Sequence, residues 1–141
     1  MPTDIDHTIS QQVREEKYRK LEYDCDKRQE MRVELIHRYL HLTRTVMPAL
    51  SQTRSDKWPV QKDHCFQRIV LDAVCGDVWY EYVSRPAYRH LSLEQARRAV
   101  KICENIIAGR TDLADLNRQS LSWRGKLSTS HFSKHDPKAE R

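Results

Sequence analysis

Glycine is nearly missing from this chain: three residues in 141, each isolated. No glycine-rich loop can therefore wrap a phosphate, which excludes the common nucleotide-binding motifs. Proline is sparse as well, and none interrupts residues 3–47. No apolar run approaches the roughly 18 residues that would cross a bilayer. The first residues, Met1 to Ser10, lack the basic-then-apolar order of a secretory signal. The four cysteines, Cys25, Cys65, Cys75 and Cys103, follow no C-x-x-C spacing. Free thiols in the cytoplasm or nucleus are the expectation. No stretch alternates with a period of two for long enough to read as a strand. Metalloprotease, nucleophile-elbow and calcium-loop signatures are absent, as are internal repeats.

What is present points to helices. Hydrophobic residues make up 38% of the chain and charged residues 32%, against roughly 45–50% and 25% in ordinary globular domains. One modest core is the most that such a chain can bury. The expectation is a soluble all-α protein: a long amphipathic N-terminal helix, a compact domain of three or four helices, and a disordered tail. The boundaries expected are 8–50 for the helical arm, 58–125 for the domain and 126–141 for the tail.

Thr8 and Gln11 offer a capping box at the head of the arm. Apolar residues then recur at three- and four-residue steps through Leu21, Cys25, Leu35, Tyr39, Leu42 and Val46, with Arg28 and Arg32 interrupting the seam. From Arg14 to Glu30 nearly every residue is charged, which suits a solvated helix held by i,i+4 pairs. From Met31 to Met47 the apolar face is wide enough to pack. Pro48 is expected to end the helix. The second helix should run from Asp63, as N-cap, to Cys75, with Gly76 as its left-handed stop. A short helix over Val78–Val83 follows. Ser92 and Gln95 form a second capping box for a helix whose inward face is Ala96, Ala99, Val100, Cys103, Ile106 and Ile107. Asp112 opens the last helix, which reaches about Arg124.

The densest chemistry lies in WPVQKDHCFQRIVLD, from Trp58 to Asp72. His64, Arg68 and Asp72 share one helix face at i,i+4 spacing. Two readings are open: an anion site with Arg68 as clamp, Asp72 as its orienter and His64 as proton carrier, or a solvent-facing stripe. Cys65, in the first turn, is either a nucleophile favoured by the helix dipole, with His90 as base, or core filling. Trp79, Tyr80, Tyr82 and Tyr88 with Arg85 and Arg89 form either a stacking surface for a planar ligand or a core edge. Trp123 and Arg124 close the last helix and are placed either to satisfy its dipole or to cover a pocket bearing Arg68. The ligand spacing of the cysteines and histidines matches no zinc pattern, so no metal is expected.

Trp58-Pro59-Val60, the run DHCFQRIVLD, Arg85-Pro86-Ala87 with Arg89-His90-Leu91, and LNRQSLSWRGK from Leu116 to Lys126 resemble a family of short bacterial and fungal proteins. Its members are labelled as related to GCN5-type N-acetyltransferases. The resemblance covers about half of the chain. It implies that the compact part is a unit of its own, that the DHCF and WRGK ends are its functional spots, and that acetyl-CoA is the cofactor if the label holds.

The net charge of +5 arises from 25 basic and 20 acidic side chains that are interleaved almost everywhere. Three function classes follow. The first is a small binding or adaptor protein whose N-terminal helix engages a protein partner or a second copy. The second is group transfer around His64, Cys65, Arg68 and Asp72. The third is nucleic-acid binding through Arg85, Arg89, Arg97, Arg98 and the basic tail. No membrane association is expected.

Overall fold

The computed structural model describes the backbone over residues 2–125 and the side chains from Ile9 onward. The tail expected at 126–141 lies outside the described residues; the helix expected to start at Thr8 begins at Pro2 instead, so Thr8 lies inside it and not at its head.

The regular elements of the described residues are all helices, with no strand among them. Helix α1 spans Pro2–His41. It runs into a π turn, Leu42–Val46, and on into α2, Met47–Ser51. The junction residues His41, Val46 and Met47 all keep right-handed helical angles, so the three pieces form one rod. At 1.5 Å per residue the rod is roughly 75 Å long.

Pro48 therefore does not end the helix, contrary to expectation. Its ring would clash with the carbonyl of Arg44 in a regular α-helix, and it has no N–H to donate. The chain widens the preceding turn instead. The Met47 N–H reaches back five residues to the Leu42 carbonyl, the spacing of a π turn. Buried Thr43 braces this turn, donating its hydroxyl to the Tyr39 carbonyl at 2.9 Å and accepting from Gln67 Nε2 at 3.1 Å.

Helix α3 spans Asp63–Cys75 and stops at Gly76, whose φ of 72° is left-handed. Asp63 is its first residue rather than its cap, which falls at Lys62. The helix expected over Val78–Val83 is only a 3-10 turn, Trp79–Glu81. A four-residue α4, Ala87–His90, follows. Helix α5, Leu93–Ile107, begins with the expected capping box, Ser92 and Gln95 each satisfying the other's backbone N–H. Helix α6, Leu113–Trp123, is capped by Asp112.

The core lies between the second half of α1, the π turn, α3 and α5. Tyr39, Met47, Phe66, Ile69, Val70, Leu91, Ala96, Ala99 and Cys103 are essentially inaccessible to solvent. Trp58 closes one end, edge-on to Phe66 with ring centroids 5.6 Å apart. The long helix and the compact part thus share one core from Ile36 to Met47.

Arg32 marks the point where the rod leaves this core. Its Nε donates to the Leu91 carbonyl at 2.5 Å and one terminal nitrogen to the Arg89 carbonyl at 2.8 Å. Those carbonyls lie at the C-terminal end of α4, which is too short to satisfy them itself. An arginine in the apolar seam is tolerated here because it finds acceptors that nothing else supplies.

Candidate functional sites: the free arm, the Asp72 network and an arginine-lined cavity

Every residue from Ile9 to Glu30 is exposed. Ile9, Val13, Tyr18, Leu21 and Tyr23 are each more than half accessible. A helix with no tertiary contact is marginal in water, since most helical stability in proteins comes from packing one face. The arm is held in the free chain by helical continuity with the anchored half of α1.

The row His64, Arg68 and Asp72 divides sharply. His64 is exposed, Arg68 half-buried, and Asp72 wholly buried. Asp72 Oδ2 accepts from Ser120 Oγ at 2.6 Å and Arg124 Nε at 2.8 Å. Its Oδ1 accepts from the Trp79 N–H at 2.9 Å and from a terminal nitrogen of Arg124 at 3.0 Å. Burying a carboxylate costs several kcal/mol unless its charge and lone pairs are met; here four donors meet them. The network ties α3 to α6 and caps the 3-10 turn.

Arg68 joins the same network from the other side, donating to Ser120 Oγ at 2.7 Å and to Asn117 Oδ1 at 2.8 Å. Burial pushes its guanidinium below the ordinary value, with Arg124 acting in the same direction against Cys65 and Asp72. Arg124 moves the opposite way, raised chiefly by its hydrogen bonds to Asp72. Asn117 and Ser120 were not singled out from sequence. Their only signal was their place in the LNRQSLSWRGK run, one and two turns from Arg124.

Arg124 also lies over the Tyr80 ring at 5.3 Å, and Arg85 covers the other aromatic contacts, 4.9 Å from Tyr80 and 5.6 Å from Trp79. Trp79 and Tyr80 meet edge to face. Guanidinium over an aromatic face is favourable by roughly 0.5–2 kcal/mol depending on exposure. Of the other sequence candidates, Arg89 is exposed over Tyr88, and His90 is exposed with its ring bonded to the Pro86 carbonyl. Trp123 is half-buried at the end of α6. Cys65 is half-buried beside Arg68.

A cavity of about 360 Å³ opens between the π turn, α3 and the segment from Trp79 to Tyr88. His64, Arg68, Trp79 and Arg85 line it together; Cys65, Asp72, His90 and Arg124 do not. Arg44 and Gln67, which had no assigned role in the sequence, and Tyr39, expected there only as a packing residue, complete its polar lining. Comparison with protein-family models, curated proteins and solved structures gives no match for this chain.

Proposed function

We propose that this chain is a binding protein whose N-terminal arm pairs with the arm of a second copy. The observation that carries this reading is the arm itself: a continuous run of exposed residues, Ile9 to Glu30, on a helix whose other half is built into the core. On the face that continues the packed seam, Tyr18 and Leu21 stand in water, and burying them against a neighbour is favourable at about 25 cal/mol per Å².

Two features favour a second copy as the occupant. The three- and four-residue seam that packs into the body at Leu35, Tyr39 and Leu42 resumes beyond Arg32 and Arg28 at Cys25 and Leu21. A matching helix would extend a packing surface that already exists. The arm is also electrically self-compatible. Between Ile9 and Glu30 it carries six basic and six acidic side chains, so the whole excess of +5 lies elsewhere. Two such arms approach without net repulsion.

Sedimentation equilibrium of the full chain tests the reading. The expected mass is about twice the 16.8 kDa of one chain, falling to one chain in Leu21→Asp with the thermal melt of the body unchanged. A wild-type chain that stays monomeric at concentrations near 100 µM, on the order of a weak dimer's dissociation constant, would exclude self-pairing.

A further inference from the structure

We propose that the cavity between the π turn, α3 and the Trp79–Tyr88 segment is a binding site for a small organic anion built on a flat ring. This is independent of the arm and of whatever the arm engages.

The charge of the lining is one-sided. Arg44, Arg68, Arg85 and His64 face the cavity, and no aspartate or glutamate lines it. Elsewhere acids and bases alternate along this chain, so four cationic or protonatable groups around about 360 Å³ stand out from the background. Nor are the guanidinium groups neutralised in place. Among the described residues Arg44 is held only by the Tyr88 ring, 5.6 Å from its centroid. Arg85 is held only by the faces of Trp79 and Tyr80. Arg68 donates to Ser120 and Asn117, both uncharged, and its charge is favoured only by Cys65 and by Asp72. Of the carboxylates nearby, Asp72 is taken by Arg124 and Asp63 stands 3.7 Å from the His64 ring at the exposed edge.

Like charges converging on a half-enclosed space repel one another, and the repulsion grows as solvent is removed. An anion relieves it. Guanidinium groups match carboxylate and phosphate with paired N–H donors, and Arg44 and Arg85 have those donors free of side-chain acceptors among the described residues. Burial has already lowered the ordinary preference of Arg68 for its charged form, a cost that a bound anion would offset.

The walls define the rest of the ligand. Tyr39, Leu40, Leu71, Trp79, Pro86 and Tyr88 give flat and apolar contact, which suits a ring. Tyr39 adds a polar point. It is 1% exposed, and no hydrogen bond engages its hydroxyl among the described residues, yet no fully buried polar side-chain atom there lacks a partner. Tyr39 lines the cavity, and Arg44 is close enough to act on its hydroxyl. The volume sits at the small end of the roughly 300–1,000 Å³ usual for ligand sites. One or two rings with a single anionic group fit that space. The widened π turn sets Arg44 at the rim, and such turns recur at functional sites because they displace side chains from regular helical register.

Isothermal titration of the full chain with indole-3-acetate, adenosine 5′-monophosphate, inorganic phosphate and neutral indole tests the proposal. The expected result is one-to-one binding of a ring-bearing anion below about 1 mM, with phosphate and indole each weaker by about tenfold or more. A preference for indole-3-acetate identifies an aryl carboxylate site; a preference for the nucleotide identifies a nucleoside phosphate site. Arg44→Gln and Arg85→Gln, both at exposed positions, should each weaken binding about tenfold without shifting the melt, while Arg97→Gln on the far side of α5 changes nothing. Failure of both ring-bearing anions to saturate the wild-type chain, or equal binding by the Arg44 and Arg85 variants, overturns the assignment.

Discussion

Asp72 and Arg124 lie 52 residues apart and meet through two hydrogen bonds, 2.8 Å and 3.0 Å long. The carboxylate is inaccessible to solvent, while the guanidinium keeps 16% of its side-chain surface exposed. One end of the pair is thus anchored in the core and the other reaches the surface over Tyr80. The pair fixes where α6 ends relative to α3, and with it the position of Ser120 and Asn117 behind Arg68. The floor of the arginine-lined cavity therefore depends on an ion pair that is not itself in the cavity.

Asp72→Asn should lower stability by about 1–3 kcal/mol, because it weakens the hydrogen bonds of a partly buried guanidinium that loses its counter-charge. Urea unfolding of the variant measures this. Pairing it with Arg124→Leu should recover part of the loss, since neither partner is then left uncompensated. A single-variant loss under about 1 kcal/mol would mean that the network carries little of the α3–α6 packing.

Arg32→Ala should cost about 1–3 kcal/mol, the range for hydrogen bonds from a charged donor to carbonyls left orphaned when it goes. The effect should be local. Hydrogen exchange ought to speed up across Ala87–Leu91 while amides in the middle of α5 keep their protection. Uniform loss across both helices would contradict a capping role for Arg32.

The thiols should react in order of access. Cys25 is exposed on the arm, Cys65 and Cys75 are half-buried, and Cys103 is buried. Burial also pushes the Cys75 thiol up and the Cys103 thiol up to about 12. Alkylation followed by mass spectrometry at pH 8 should label Cys25 first and Cys103 only on unfolding, because the thiolate is the reactive form. Fast labelling of Cys65 ahead of Cys25 would instead mark the DHCF turn as a reactive site.

Cys103 also sets a pH dependence. Its thiol is neutral in both folded and unfolded chains below the ordinary value of 9, so its titration does not affect stability there. Between 9 and about 12 the unfolded chain loses this proton and the folded one holds it. The unfolded state is then favoured by about 1.4 kcal/mol per pH unit for this one group. Tyr39, raised by the same burial, adds to the fall above its ordinary value of 10. Thermal melts from pH 7 to 11 should decline above 9, and Cys103→Ala should flatten the first part of that decline. A melt unchanged between pH 9 and 10.5 would contradict the burial of this thiol.

Much of the fold was legible from local signals. Helix α3 ends where Gly76 permits a left-handed residue, and α5 begins where Ser92 and Gln95 can exchange hydrogen bonds with the backbone. Both are contests among near neighbours, which the order of residues records directly. The inward face of α5 followed from its periodicity: Ala96, Ala99, Val100, Cys103 and Ile106 are buried, and Ile107 is half-buried against them. The absence of strands among the described residues followed in the same way.

Three features needed the tertiary structure. Pro48 breaks a helix by its local chemistry, yet here the core covers Leu42, Thr43 and Met47, and Gln67 braces Thr43, so widening one turn is cheaper than unpacking both sides. Asp72 looked like part of a polar stripe because its helix neighbours His64 and Arg68 are polar. It is buried because Ser120, Arg124 and the Trp79 N–H arrive from elsewhere to satisfy it. The cavity likewise gathers Arg44, Arg68 and Arg85 from three separate segments. The sequence by itself determined which stretches are helical and which faces are apolar, since those depend on contacts within a turn or two. Only the tertiary structure decided which charged groups are paired, buried or left facing an open space, because that depends on distances between residues that the chain order does not hold.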